Sequence, residues 1–212
     1  MKTRELIIEK AIELFNEKGT KAVSTNHIAA AAGISPGNLY YHFRNKKDII
    51  RAIFSEHMDA YGTQEFLKIA VELEPGTAEA LIATFVMIQK FNWRYRFFKR
   101  ELTALIMDDP QLRESFITAF KEGLAVVRAS IDMGIYRKFL KEMPTADRDF
   151  LAEEVWLANL FWLNYLEIGG EEIDEKNLIR GSNHLRNILK PYMTEQGLAA
   201  SIKASEESDP VS

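Results

Sequence analysis

Gly33-Ile34-Ser35-Pro36-Gly37-Asn38-Leu39-Tyr40-Tyr41-His42-Phe43-Arg44-Asn45-Lys46-Lys47 contains two helix starts within one short stretch. The Ser35 hydroxyl is suited to cap a helix. Pro36 at the first helical position sacrifices nothing, because the donor it lacks would be unpaired there. Leu39 and Phe43 lie four apart and share a face. Gly37, Asn38, Tyr41 and His42 fall on the opposite face, with Tyr40 at the boundary. Asn45 then caps a second helix, with Asp48 three positions on. Lys46 and Lys47 sit at that helix's positive end, where the dipole opposes cations. A phosphate held by the helix amides and both lysines would resolve the conflict, and a solvated lysine pair is the plainer account. Gly37 leaves room for another backbone to approach closely.

Upstream, residues 24–32 read Ser-Thr-Asn-His-Ile-Ala-Ala-Ala-Ala, a short helix started by Ser24 or Thr25 and stopped by Gly33. Two short helices around a glycine turn form a helix-turn-helix, placed here at about 24–43. Ile28-Ala29, Ala32-Gly33-Ile34-Ser35, Gly37-Asn38-Leu39-Tyr40-Tyr41-His42-Phe43 and Lys46 resemble the signature of the TetR family of bacterial transcriptional regulators. The likeness covers roughly the first fifty residues in detail, and the rest only in its pattern of helices. It implies that Thr25, Tyr41, His42 and Lys46 hold a DNA backbone. It also implies that Ser35, Pro36, Gly37 and Asn38 lie nearest the bases, with Tyr40 in either set. Asn38, able to pair bidentately with adenine, is the main candidate for direct readout. The arm before the first helix offers only Lys2 and Arg4, so it promises little in a minor groove.

The net charge of −4 over 212 residues hides an asymmetry. Residues 1–55 hold nine Lys or Arg against five Asp or Glu, a balance of +4, which leaves −8 for the remainder. A basic end on an acidic body suits a DNA-binding head, because phosphate contact needs local positive charge. Apolar residues at 47% and charged residues at 27% are globular proportions. There is no cysteine, so disulfide and thiolate chemistry are excluded. Arg4 and Glu5 interrupt any N-terminal apolar run, and a cytoplasmic location without membrane association is the expectation.

Helical spacing runs through the chain. The first helix is expected from Thr3, as cap, to Lys18, with Gly19 as stop. The fourth starts at Lys46, continues to about Gly62 and would carry any signal from body to head. Pro75-Gly76 marks a loop, and Thr77 opens a helix. Residues 91–105 alternate at first like a strand but fit helical spacing over a longer window, with a break expected at Asn92. Asp108 or Asp109 caps a helix from Pro110 to about Met133, where Gly134 ends or interrupts it. Pro144 and Thr145 open another. Its segment 155–166 is apolar on every side but too short to span a bilayer, so it must be buried against its own core and something more. Gly169-Gly170 stops it. A last helix runs from about Asp174 to Lys190, and a frayed tail follows Gly197.

These readings amount to an all-α protein of about nine helices. A three-helix helix-turn-helix DNA-binding domain at 1–47 precedes a helical ligand-binding and dimerisation bundle at 48–195 and a flexible tail at 196–212. Helices 146–168 and 174–190 are expected to pair across a two-fold axis into a four-helix bundle, through Trp156, Leu163, Leu178, Leu185 and Leu189. Trp93, Phe97, Phe98, Met107, Phe116, Phe120, Trp156, Phe161, Trp162 and Tyr165 could line an apolar cavity, or simply pack a core. The family's habit of binding small molecules between body helices favours the cavity. The four histidines have no metal spacing, the paired carboxylates read as caps and solvated faces, and no phosphate loop or nucleophile elbow occurs. No cofactor, metal or catalytic residue is expected. The implied activity is repression of transcription from a near-palindromic double-stranded DNA operator by a homodimer, relieved by a small hydrophobic or amphipathic ligand. The alternative is an architectural DNA-binding protein of similar form, whose body binds another protein and has no inducer.

Overall fold

The computed structural model describes residues 2–58, 72–73 and 77–207. Among them are ten α-helices: α1 Thr3–Ala22, α2 Thr25–Ala31, α3 Pro36–His42, α4 Lys46–Ala52, α5 Ala78–Arg94, α6 Arg96–Asp108, α7 Pro110–Tyr136, α8 Thr145–Ile168, α9 Glu175–Leu189 and α10 Glu195–Glu207. A π-helical turn, Ile53–Met58, extends α4, and a 3-10 turn, Lys190–Tyr192, follows α9. No strand occurs among the described residues, only an isolated bridge between Leu140 and Met193. The expected continuation of the fourth helix to Gly62 and the Pro75-Gly76 loop lie outside the described residues.

By contacts the chain forms two compact units, residues 1–63 with 94–117 and residues 64–93 with 118–212. These units differ from the expected division at residue 47 in that α6 packs with the first of them. The reason is aromatic. Phe97 and Phe98 are buried there with Phe15 and Phe54, at ring separations of 5.2 Å for Phe15–Phe97 and 5.8 Å for Phe54–Phe98. Asn16, buried on α1, binds the junction of α5 and α6. Its Nδ2 donates to the Arg94 carbonyl at 2.9 Å, and its Oδ1 accepts from the Phe97 amide at 3.1 Å. The helix break accordingly falls at Tyr95, not at Asn92.

α1 begins one residue earlier than a Thr3 cap allows. Thr3 is itself helical, and the Lys2 amide donates to Glu5. Gly19 does interrupt the helix, at φ 77°, and a further short turn runs to Ala22. A side chain at Gly19 would meet the Glu101 carboxylate, which accepts from the Thr20 amide at 2.9 Å. Gly134, by contrast, does not end α7. The helix passes through it to Tyr136 and closes where Lys138 adopts φ 58°, with the Phe139 and Leu140 amides both donating to the Gly134 carbonyl. Gly134 serves proximity instead, since Leu140 lies against its Cα.

The core of the second unit gathers Phe85, Ile131, Leu151, Val155, Trp162, Leu163, Leu166, Leu185 and Leu189. α8 is buried on one face only. Leu157, Phe161 and Tyr165, at 55%, 52% and 62% exposure, form an apolar row on its other face, continued by Ile168. Of the side chains expected at a dimer interface, Leu163, Leu185 and Leu189 are only 3%, 2% and 3% exposed in the single chain. They face its own core and have no surface left for a partner. Trp156 packs edge-on to Phe120 at 5.6 Å, and the Leu178 side chain lies outside the described residues.

The tail expected from residue 196 is helix α10 as far as Glu207, and residues 208–212 lie outside the described residues. The Thr194 hydroxyl caps it, accepting from the Gly197 amide at 3.0 Å and donating to the Lys138 carbonyl at 2.6 Å. Ser201 and Ala204 are buried. Its small residues let the helix lie directly on backbone, since a Cβ on Gly197 would overlap the Phe139 carbonyl. Gly197→Ala should therefore destabilise the protein by about 1–3 kcal/mol, in spite of alanine's better helix propensity. Urea denaturation followed by circular dichroism gives the sign, and a stabilised variant would mean that α10 does not dock as described.

Candidate nucleic-acid interface

The helix-turn-helix forms as its punctuation demands. The Ser24 hydroxyl accepts from the His27 amide at 3.2 Å, and the His27 ring returns the favour by accepting from the Ser24 amide at 3.3 Å. This is a capping box in which histidine stands where glutamate is usual. Gly33 takes φ 66° in the turn. Ser35 caps α3 through the Asn38 amide at 3.2 Å, with Pro36 at its first position. Leu39 and Phe43 are buried against the first unit's core. Their burial fixes the opposite face of α3 outward.

On that face Ser35, Pro36, Gly37 and Asn38 are exposed at the helix start, and Tyr40 and Tyr41 follow at 50% and 85% exposure. Tyr41 and His42 stand edge to face at 5.1 Å. The Tyr40 and Thr25 hydroxyls hydrogen bond at 3.0 Å, linking α2 to α3. A tyrosine exposed to this degree gives up burial that packing would reward, so it is available to another surface. Tyr41, His42 and Arg44 share an open concavity with Arg4, whose guanidinium lies over the Phe43 ring at 4.9 Å and pairs with Glu56. Arg44 was not among the residues singled out from sequence. Its guanidinium is largely exposed and bonds Asp48 at 3.1 Å, which leaves most of its donors free. Only its place in the quoted stretch could have signalled it.

The two lysines answer their dipole conflict without any external anion. Lys46 Nζ donates to the Val23 carbonyl at 2.8 Å and also to the Thr20 carbonyl, so the negative end of α1 neutralises the positive end of α4. Lys47 Nζ donates to the Asp108 carbonyl at 2.7 Å and pairs with its carboxylate at 3.0 Å. Neither a bound phosphate nor a solvated lysine pair is needed to answer that conflict. Lys46 keeps one N–H. Lys46→Met should lower stability by about 1–3 kcal/mol, because it strands two carbonyls at the end of α1. Thermal unfolding of the variant without DNA tests this, and an unchanged midpoint would show those bonds to be idle.

The aromatic set expected to line one cavity is divided between the two units. Phe97, Phe98 and Phe116 belong to the first, with Phe116 against Phe54 at 5.5 Å, and Met107 is exposed there. Trp93, Phe120, Trp156, Phe161, Trp162 and Tyr165 belong to the second, where Phe161, Trp162 and Tyr165 line an open groove of about 480 Å³ with Arg180, His184 and Asn187 of α9. Among the described residues there is no cluster of side chains fit to hold a metal ion, and no helix long and apolar enough to cross a membrane.

Comparison with known proteins agrees with this geometry. Residues 7–53 match the family described as bacterial regulatory proteins, tetR family, and residues 54–200 match the family described as bacterial transcriptional repressor, TetR. The transcriptional repressor KstR2 of Rhodococcus jostii is 28% identical over 159 residues, which cover 73% of this chain and 77% of that one. The crystal structure of a TetR-family transcriptional regulator from Marinobacter aquaeolei superimposes with a TM-score of 0.84 at 32% identity, over 99% of this chain and 100% of the other. A complex of SmeT with triclosan shares the fold at 20% identity and a TM-score of 0.65, over 91% and 92% of the two chains. With both halves of the chain matched and a helix-turn-helix exposing its second helix, this protein belongs to the TetR family of DNA-binding bacterial transcription regulators.

Proposed function

We propose that the protein is a repressor that binds a near-palindromic operator as a homodimer and is released by a small apolar or amphipathic ligand in its second unit. The outward face of α3 carries the DNA reading, since it presents Gly37, Asn38 and Tyr41 on a helix anchored by Leu39 and Phe43. In this reading Asn38 reaches a base edge, with Ser35, Pro36 and Gly37 beside it. Thr25, Tyr40, Tyr41, His42 and Arg44 hold the backbone, and Lys46 adds its remaining N–H beside Lys47. Asn38→Ala should relax preference at one base position by ~1–3 kcal/mol, while Arg44→Ala should weaken binding to all sequences and flatten the salt slope by about one phosphate. Sites selected from random DNA, then titrated over a salt series, test both. Variants that bind like the wild type throughout would refute the assignment.

Dimerisation is supported by the row Leu157, Phe161 and Tyr165 on α8, an exposed apolar surface that a soluble monomer gains nothing by keeping. A two-fold protein calls for half-sites one helical turn apart or a multiple, ~34–36 Å per turn. Ligand release follows from linkage: a ligand that prefers the conformation with wrongly spaced heads shifts the equilibrium only by its difference in affinity, ~1.4 kcal/mol for each tenfold loss of DNA affinity. Support for a ligand comes from the buried polar groups of the second unit and from the structural neighbour solved with triclosan. Operator affinity measured with and without candidate compounds is the test. If every compound that binds leaves it unchanged, the architectural alternative is favoured.

A further inference from the structure

The core of the second unit contains a polar cluster that packing does not require. Gln89 and Asn92 on α5 and Asn159 on α8 are 0%, 2% and 5% exposed. Gln89 Nε2 and Asn92 Nδ2 both donate to the Asn159 backbone carbonyl, at 3.2 and 3.1 Å, and Asn159 Nδ2 donates to the Val155 carbonyl at 3.0 Å. These bonds use the amide nitrogens and thereby fix which way the Gln89 and Asn159 amides point. Flipping either one would set oxygen against a carbonyl oxygen. Their side-chain oxygens, Gln89 Oε1 and Asn159 Oδ1, are buried without a partner. Trp156 stands three residues before Asn159 on the same helix face, and its indole N–H is likewise buried and unpaired. Two acceptors on facing helices and one donor a helical turn from Asn159 thus lie unsatisfied, with the Phe120 ring packed on Trp156 at 5.6 Å. Native cores rarely strand so many groups together, and a leucine at either amide position would have cost the fold nothing polar.

We infer that the molecule read by the second unit is an uncharged amphiphile carrying a hydroxyl, which donates to Gln89 Oε1 or Asn159 Oδ1 and accepts from Trp156 Nε1. The inference rests on the reading that this unit takes a small ligand. A hydroxyl fits because it donates and accepts at one atom. A carboxylate has no hydrogen to give and would bring a negative charge against two amide oxygens, with a single N–H to compensate. An ammonium would be accepted by the oxygens but would be buried among neutral groups with no counter-charge in the cluster. An ether can use only the tryptophan.

The test uses the intact protein and tryptophan fluorescence, backed by calorimetry. Hexanol, octanol and decanol are compared with the methyl ether, the carboxylate and the protonated amine of the same chain length. At least one alcohol is expected to bind saturably, about tenfold tighter than each of its three counterparts. At least one of Gln89→Leu and Asn159→Leu, whichever removes the oxygen that accepts from the hydroxyl, should erase the preference for alcohol over ether while leaving ether affinity unchanged, so ether binding reports that the variant is folded. The comparison among ligands on wild-type protein stands even if a variant does not fold. The inference is overturned if the carboxylate or amine binds more tightly, if the ether equals the alcohol, or if no alcohol binds. Operator affinity measured in parallel separates the two readings. A carboxylate that binds and releases DNA sinks the hydroxyl inference and leaves ligand release standing. An alcohol that binds with the expected preference yet leaves DNA affinity unchanged does the reverse.

Discussion

Asp109→Ala is expected to cost about 3 kcal/mol of stability, a large fraction of what a domain of this size commands. The side chain is 4% exposed and makes two kinds of contact at once. Its oxygens accept from Arg51 Nε at 2.7 Å and Nη2 at 2.9 Å in a bidentate pair, and Oδ1 also caps α7 through the amides of Gln111 at 3.1 Å and Leu112 at 3.3 Å. Alanine would leave a half-buried guanidinium with the weaker contact to Asp48 and would uncap the longest helix among the described residues. The hydrogen bond from Arg51 holds the Asp109 carboxyl below its ordinary value of 3.8, burial opposes this, and the capping amides assist it. A carboxyl whose pKa falls on folding stabilises the protein fully above its unfolded value and loses that contribution as the pH drops through the folded one. The gap in unfolding free energy between wild type and Asp109→Ala should therefore be constant from neutrality to about pH 5 and close below pH 4. Denaturant titrations over that range measure it, and a gap that persists undiminished to pH 2 would mean that ionisation of Asp109 is not what stabilises this end of α7.

Joint replacement of Leu157 and Phe161 by arginine should raise the dimer dissociation constant about a thousandfold, ~4 kcal/mol, with little effect on the fold of a single chain. Both side chains are already in solvent in the protomer, so only association exposes the change. At the interface proposed above, two arginines on each α8 would face their copies across a two-fold axis and repel, and the aromatic and aliphatic surface proposed to drive association would be gone. Operator affinity should fall with dimerisation, because each half-site contact then forms without the other. Analytical ultracentrifugation over a concentration series reads the mass, and circular dichroism checks the fold. Leu185→Ala is the contrasting control. It is predicted to lower stability, through a cavity in the protomer's own core, and to leave the association constant nearly alone.

The two replacements also mark where local sequence information ran out. The Thr3 cap and an end at Gly134 did not form, but most of what is decided within about four residues was legible in the chain: a cap at Ser24 or Thr25, the Ser35 and Asn45 caps, the Gly33 turn, the Leu39–Phe43 anchor, a cap at Asp108 or Asp109 before Pro110, and the Gly169-Gly170 stop. Each depends on a side chain reaching its neighbouring backbone or on a φ that the residue type dictates, so the signal and its cause sit in the same few residues. What needed tertiary structure was the destination of each side chain. Residues 155–166 of α8 are apolar on every side, so their sequence could not say which row faces its own core and which faces out; Leu163 went in and Phe161 stayed out. Lys46 looked like an unresolved charge until the carbonyls ending α1, more than twenty residues away, supplied its partners. The tail from Gly197 looked too poor in large apolar residues to fold, but its small ones are what let α10 lie on the Phe139 backbone. Phe97 and Phe98 joined the first unit because Asn16 and Phe15 of α1 were there to receive them. Helix caps and turns are short-range bonds that a sequence carries on its face, whereas a packing partner is a choice among distant surfaces, and only the folded chain makes it.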